Sequence, residues 1–381
     1  MKIVADRQIP FLNAVLEPFA QVVYLDGEEI TADIVRDADA LLVRTRTRCD
    51  ASLLEGSSVK FVGTATIGTD HIDTQWCESA GIAWSNAPGC NADAVCQYIV
   101  ASLLSVSVRH GIPLDDKVLG IIGVGQVGSR VAKAAKTLGM KVLLCDPPRA
   151  EREGRKGFSS LSTLFQECDF FTFHTPLEKS GKHATWRLAN GGFLSKVKPH
   201  AWLINSSRGA VVDNTALRIA LRSNSIAGAV LDVWEGEPDQ IDQELLHLLE
   251  MATPHIAGYS LEGKANGTTQ IIRALAQILD VKSLKSWQIP ADELSPPRDP
   301  LIRIDAGSGP DELWLHEAVF RSYDVRADDA DLRHDPSSFE LLRSRYAFRR
   351  EFPAFKVELK NGSPSLAEKL RGLGFAVTVA R

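Results

Sequence analysis

The chain has 381 residues, 44% of them hydrophobic and 24% charged, with a formal net charge of −5. That length allows two or three domains, and the composition is that of an ordinary globular protein rather than a disordered or fibrous one. The mild negative charge gives no basis for binding nucleic acid or an anionic membrane, and no apolar run reads as long enough to span a bilayer.

The six cysteines form no C-x-x-C pair and no zinc spacing, so no metal site is read and a reducing, cytoplasmic setting is expected. Met1 to Asp6 runs straight into a strand and does not read as a signal peptide. Further short apolar runs at 21–25, 40–43, 60–63 and 82–85 predict strands, with helical pieces between them such as 10–19 and 70–80. Strands alternating with helices predict a parallel sheet, whose ligands gather beyond the carboxyl ends of the strands. Two of those ends carry polar groups, at Arg44-Thr45-Arg46 and from Thr64 and Thr66 to Asp70-His71. A turn at 86–91, with Asn91 a candidate N-cap, then opens a long apolar helix towards Arg109.

The next stretch organises the rest. An apolar run at 118–122 predicts a buried strand, after which Gly123, Gly125 and Gly128 fall in the order G-x-G-x-x-G. A helical pattern of Val131, Ala134, Ala135 and Leu138 follows, is stopped by Gly139, and leads to a second strand at 141–145 ending in Asp146. Such glycines permit a tight turn and a close approach of backbone to a pyrophosphate at the positive end of the helix. A carboxylate about twenty residues on can accept hydrogen bonds from a ribose diol. A flavodoxin-like turn without a dinucleotide accounts for the glycines but not for Asp146. Pro147 and Pro148, rather than an arginine, directly follow that acid, which favours NAD over NADP.

The α/β alternation then continues. Strands are expected at 169–174, 201–205 and 227–231, and helices at 162–167, 214–222 and 263–279. Three polar residues stand in the loops between them: Arg208, Glu237 and His255. Oxidation of a 2-hydroxy acid requires a base for the hydroxyl proton, a cation for the carboxylate and a carboxylate to orient the base. His255, Arg208 and Glu237 suit those roles in that order. Each also has a plainer reading: a surface arginine, a capping histidine after a proline, and a turn glutamate before Pro238. Beyond about 285, prolines at 290, 296, 297 and 300 mark a linker. The remainder predicts strands at 301–305, 355–360 and 375–379, helices at 311–319 and 365–373, and an arginine-rich stretch from Arg321 to Arg350. Its apolar helix positions and open strand edges predict a homodimer formed mainly through this segment.

Taken together, the glycine turn, Asp146, His174-Thr175-Pro176-Leu177, Asn205 with Arg208-Gly209, Asp232 to Pro238 and Thr253-Pro254-His255-Ile256-Ala257-Gly258 resemble the D-isomer-specific 2-hydroxyacid dehydrogenases. The match spans nearly all of residues 60–280. The resemblance implies two doubly wound Rossmann-like lobes with parallel sheets plus a small C-terminal α/β domain. The division expected is a discontinuous substrate-binding domain (1–95 and 256–285), an NAD-binding domain (96–255) and a dimerisation domain (286–381). It implies that Arg208, Glu237 and His255 are catalytic. NAD would meet the glycine turn (Gly123, Gly125, Gly128), Gln126, Val127, Asp146, Thr175, Asp232 and Gly258, with Asp232 on the nicotinamide carboxamide. Thr45, Thr66 and Tyr259 would contact a small phosphorylated hydroxy acid. Thr45 departs from the family's usual Ser; the hydroxyl remains, and an added methyl crowds it. A related dehydrogenase of 3-phosphoglycerate, or a non-catalytic dinucleotide sensor, stays open.

Overall fold

The computed structural model describes residues 1–380. The chain forms two compact units, one of Met1–Asn91 with Ser260–Ser295 and one of Ala92–Tyr259 with Pro296–Arg381.

The first unit holds β1 (Lys2–Asp6), β2 (Gln21–Leu25), β3 (Ala40–Val43), β4 (Phe61–Thr64) and β5 (Ala83–Ser85). They form one parallel sheet in the order β2-β1-β3-β4-β5. Near-continuous apolar runs such as ALLV and FVGT suit strands covered on both faces. One face packs Val4, Leu41, Val43 and Val62, and the other packs Ile3, Leu42 and Phe61 against Ile271 and Leu275 of the helix Leu261–Ile278. The segment 10–19 is a run of turns, not the expected helix. Its buried Ile9, Leu12 and Leu16 mimic a helical period. The backbone, however, turns left-handed at Phe11 (φ 61°) and Ala14 (φ 64°). Pro18 also bars a helix from running on through the segment. The helix expected over 70–80 is confined to Thr74–Ser79, because Asp73 caps it, its carboxylate accepting from Trp76 N–H at 2.9 Å.

The second unit begins with the helix Ala92–His110. It is 19 residues long and by length and composition could cross a membrane, but 78% of that stretch is buried inside the fold. It lies in an apolar core with Leu119, Ile121, Val131 and Phe170. The sheet beside it is built from β6 (Val118–Ile122), β7 (Lys141–Cys145), β8 (Phe170–Phe173), β9 (Trp202–Asn205), β10 (Gly228–Leu231) and β11 (Met251–Ala252). All pairs are parallel, in the order β11-β10-β9-β8-β6-β7. A third parallel sheet, β12 (Leu301–Asp305), β13 (Lys356–Lys360) and β14 (Ala376–Ala380), has the order β12-β13-β14. The sequence reads the C-terminal part as a small domain of its own. Here Leu315, Val319, Phe352 and Val357 share one core with Tyr98, Val106 and Leu138. Within the arginine-rich stretch lie the helices Val325–His334 and Phe339–Ser344.

Candidate active site

Register in the second sheet decides where the loops begin. Cys145, Ile122, Phe173, Asn205, Leu231 and Ala252 pair in sequence across it, forming one row at the carboxyl ends of the strands. Asp146, Gly123, His174, Ser206, Asp232 and Thr253 therefore leave the sheet level with one another. The chain winds outward from β6 to β7 and then in the opposite sense from β8 onward, so a switch point lies between β6 and β8. Open parallel sheets bind their ligands at such a point.

The glycine turn closes over this point. A Cβ on Gly123 (φ 87°) would lie 2.5 Å from the carbonyl oxygen of His174, and one on Gly128 would lie 2.1 Å from that of Gly123. Neither approach admits a side chain. A Cβ on Gly125, by contrast, would meet open space, and Gly125 precedes the helix Gln126–Thr137 without a side-chain cap. The N–H groups of Gln126 and Val127 thus open a helix whose positive end is available to an anion. Asp146 Oδ2 accepts from Val124 N–H at 2.8 Å, and Oδ1 accepts from Arg149 N–H at 3.0 Å, capping the helix Pro147–Glu153. The carboxylate joins the turn to that helix and keeps acceptor capacity for a diol. Thr175 Oγ1 and Ser206 Oγ are buried hydroxyls that have no hydrogen-bond partner among the described residues. A buried hydroxyl left this way costs about 1–3 kcal/mol, which a bound ligand's polar atoms remove. The residues therefore fit a dinucleotide. No sequence motif singles out Ser206, although it directly follows the strand that leads to Arg208.

Arg208, Glu237 and His255 come from the loops after β9, β10 and β11, three neighbouring strands. Asn205 shapes the first loop: its Nδ2 donates to Arg208 O at 2.9 Å and its Oδ1 accepts from Ser207 N–H at 3.1 Å. Gly209 brings that loop against the next, since a Cβ there would lie 2.0 Å from Trp234 O. Glu237 Oε2 accepts from Trp234 N–H at 2.9 Å, and Oε1 bonds His255 Nδ1. Burial alone would raise the Glu237 carboxyl; His255, the Trp234 N–H and Arg343 outweigh it and hold it below the usual range. With Nδ1–H given to a carboxylate, His255 Nε2 is left to exchange a proton.

His255 itself adopts φ 58°, a left-handed conformation rare for a histidine. Asp232 holds it there. Its carbonyl accepts from His255 N–H at 2.7 Å, and its carboxylate accepts from Ile256 N–H at 2.8 Å, Ala257 N–H at 3.0 Å and the Thr253 hydroxyl at 2.7 Å. Burial pushes the Asp232 carboxyl up against the lowering effect of these bonds and of His255. Asp232 is 1% exposed, so its visible work is to build the turn that carries His255. Gly258 and Tyr259 end that turn, both partly exposed.

In the first unit, Thr45 and Arg46 are exposed in the turn after β3. Arg46 Nη1 pairs with Glu28 Oε1 at 2.9 Å, and Arg44 Nη1 donates to Gln8 Oε1 at 3.0 Å. After β4, the hydroxyls of Thr64 and Thr66 share a hydrogen bond of 2.8 Å. His71 Nε2 lies 3.1 Å from Thr64 Oγ1.

Comparison with known proteins identifies the family. Residues 103–257 match the family described as D-isomer specific 2-hydroxyacid dehydrogenase, NAD binding domain, and residues 296–374 match a domain of unknown function. An erythronate-4-phosphate dehydrogenase of Pseudomonas putida is 45% identical, covering 98% of this chain and 99% of that protein. One of Bacteroides fragilis is 45% identical over 94% of this chain and 99% of that protein. Among solved structures, the D-lactate dehydrogenase of Aquifex aeolicus complexed with NAD and lactic acid superposes with a TM-score of 0.62 at 25% identity. That likeness covers 78% of this chain and all of the other. The chain belongs to the erythronate-4-phosphate dehydrogenases, a branch of the NAD-binding D-isomer-specific 2-hydroxyacid dehydrogenase family.

Proposed function

We propose that the chain oxidises 4-phospho-D-erythronate at C2 to 3-hydroxy-2-oxo-4-phosphooxybutanoate, on the route to pyridoxal 5′-phosphate, with Arg208, Glu237 and His255 as its reacting set. The observation that carries this reading is the hydrogen-bonded His255–Glu237 pair in the row of loops that also presents Arg208. His255 Nε2 takes the proton of the C2 hydroxyl. Glu237 fixes the ring's orientation and balances the imidazolium that forms. Arg208 holds the substrate carboxylate and draws electron density towards the developing C2 carbonyl. Bound NAD supplies the hydride acceptor. The glycine turn from Gly123 to Gly128 holds its pyrophosphate, Asp146 its ribose diol, and Thr175, Asp232 and Gly258 the nicotinamide half. Thr45, Thr66 and Tyr259 contact the substrate.

The chain works in the cytoplasm as a homodimer formed through the C-terminal segment. The outer strands β12 and β14 each pair on one side only, and β14 is largely exposed. Sedimentation of the full chain tests this: twice the mass of one chain is expected, and a monomer at micromolar concentration rejects it. The activity is tested by following NADH at 340 nm with 4-phosphoerythronate and, separately, 3-phosphoglycerate. Faster turnover of the first is expected. Turnover of only the second reassigns the substrate, and turnover of neither favours a dinucleotide sensor.

A further inference from the structure

Arg343 lies in the C-terminal helix Phe339–Ser344, more than a hundred residues beyond Glu237. It nevertheless reaches the reacting loops. Its Nε donates to the Tyr259 hydroxyl at 3.1 Å. The carboxylate closest to pairing with it, Glu340 Oε2, stands at 3.7 Å, beyond hydrogen-bond distance. The guanidinium is mostly enclosed, with 21% of the side chain exposed. Burial works against its charge, while Tyr259, Glu237 and Glu340 outweigh burial and hold its pKa above the usual range. The same charge helps to keep Glu237 ionised. Two neighbours on the same segment complete the setting. Tyr346 and Phe348 meet the Tyr259 ring edge-on at 6.0 and 6.2 Å. Arg349 Nη1 donates to the carbonyls of Ile256 at 3.0 Å and Tyr259 at 3.2 Å.

The mostly enclosed guanidinium is therefore held charged by groups of the reacting loops, Tyr259 and Glu237, as well as by Glu340 at 3.7 Å. We propose that Arg343 is a positioning residue of the dehydrogenase site: it fixes the Tyr259 hydroxyl for the anionic substrate and supplies positive potential to the Glu237–His255 pair. The proposal rests on the reading of those three residues given above. It also gives the C-terminal segment a part in catalysis separate from any role in assembly.

The test is steady-state kinetics of Arg343→Gln, Arg343→Lys, Tyr259→Phe and the Arg343→Gln/Tyr259→Phe double variant, with NAD affinity and melting temperature measured alongside. Arg343→Gln is expected to raise KM for 4-phosphoerythronate roughly tenfold or more, the size of one charge-assisted hydrogen bond. It should also move the acid limb of kcat/KM to higher pH, because Glu237 loses a stabilising charge, while NAD affinity stays at the wild-type value. Arg343→Lys keeps the charge but not the planar fork, so it should restore the acid limb more fully than KM. The KM effects of Arg343→Gln and Tyr259→Phe should be less than additive. A Gln variant with wild-type KM and acid limb overturns the proposal, as does loss of NAD affinity in proportion to KM. Should the Gln variant fail to fold, the Lys variant decides: raised KM with a near-wild-type limb supports the assignment, and wild-type KM overturns it. The wild-type enzyme separates the two readings. Its failure to reduce NAD with 4-phosphoerythronate rejects the function, whereas turnover matched by the Gln variant rejects only Arg343.

Discussion

The loops after β9, β10 and β11 and the loop after β3 occupy equivalent ends of two parallel sheets, yet they are held in different ways. In the second unit, the proposed reacting set rests on interior bonds: Asn205 under Arg208, Trp234 N–H under Glu237, and Asp232 under His255. In the first unit, Thr45 is exposed, and Arg46 pairs with Glu28 on the surface. Interior hydrogen bonds fix an orientation in advance, whereas exposed ion pairs contribute about 0–1 kcal/mol and exchange readily with water. The difference separates the work of the two regions. Proton transfer demands a fixed geometry, while recognition of a phosphorylated substrate tolerates side chains that settle on binding.

The sharpest break in this comparison is His255→Ala. We predict a fall in kcat/KM of about 10²–10⁴, the usual contribution of general acid–base catalysis, with NAD titrations unchanged. Near-wild-type activity would remove His255 from the mechanism. Glu237→Gln comes next, with a loss on the order of 10² because the imidazole loses its ionised partner. Glu237 also gives a pH signature. Its carboxyl sits below the ordinary 4.5, so its stabilising share is present above that pH and lost as pH falls through the lower folded value. Calorimetric melting temperatures of Glu237→Gln should therefore fall less steeply than wild type on acidification below about pH 4.5. An equal slope would show that Glu237 carries no such linkage.

Asp146→Ser combined with Pro147→Arg is expected to shift cofactor preference towards NADP by roughly tenfold, as a repelling carboxylate gives way to a phosphate-binding cation. A wild type that already uses both cofactors equally undoes the premise. The serine hydroxyl that Asp146→Ser introduces can still cap the helix Pro147–Glu153, while Val124 N–H loses its acceptor, so melting temperature is measured alongside. The smallest effect belongs to Arg46→Gln: an exposed pair is lost, and chemical denaturation should show a change within about 0.5 kcal/mol. The larger change should be in KM, greater for the phosphorylated acid than for a short unphosphorylated one. Equal losses on both would assign Arg46 to the scaffold.

Much of this arrangement was legible in the sequence because its signals are local. Buried parallel strands write themselves as short apolar runs, and Gly123, Gly125 and Gly128 stand where a turn, an open cradle and a close backbone contact each demand them. Asp146 was legible for the same reason, although its capping of the next helix was not. The segment 10–19 misled because Ile9, Leu12 and Leu16 repeat at a helical period while the backbone between them turns left-handed. The family resemblance marks Asp232 as a cofactor contact, whereas its support of the His255 turn depends on N–H groups 24 and 25 residues away. Arg343 and Arg349 were visible only as members of an arginine-rich stretch. Their partners on the reacting loops and the helix Ala92–His110 lie 84 to 255 residues earlier, a separation no local pattern encodes.

Arg349 has a consequence in the timing of synthesis. Its guanidinium bonds the carbonyls of Ala94, Ile256, Ala257 and Tyr259, the first of these near the start of the second unit and the others near the point where the chain leaves it for Ser260. Arg349 follows Ile256 by 93 residues, an interval of roughly 5–20 s at ordinary rates of translation. Until it emerges, the turn bearing His255 lacks the cation that ties down its carbonyls. The β6–β11 sheet can form first, and the reacting loop is set last. Ribosome-bound chains stalled before residue 349 should therefore protect the amides of β8 and β9 from exchange while those of 256–259 remain open. Equal protection of both would mean that the turn is ordered without its C-terminal anchor.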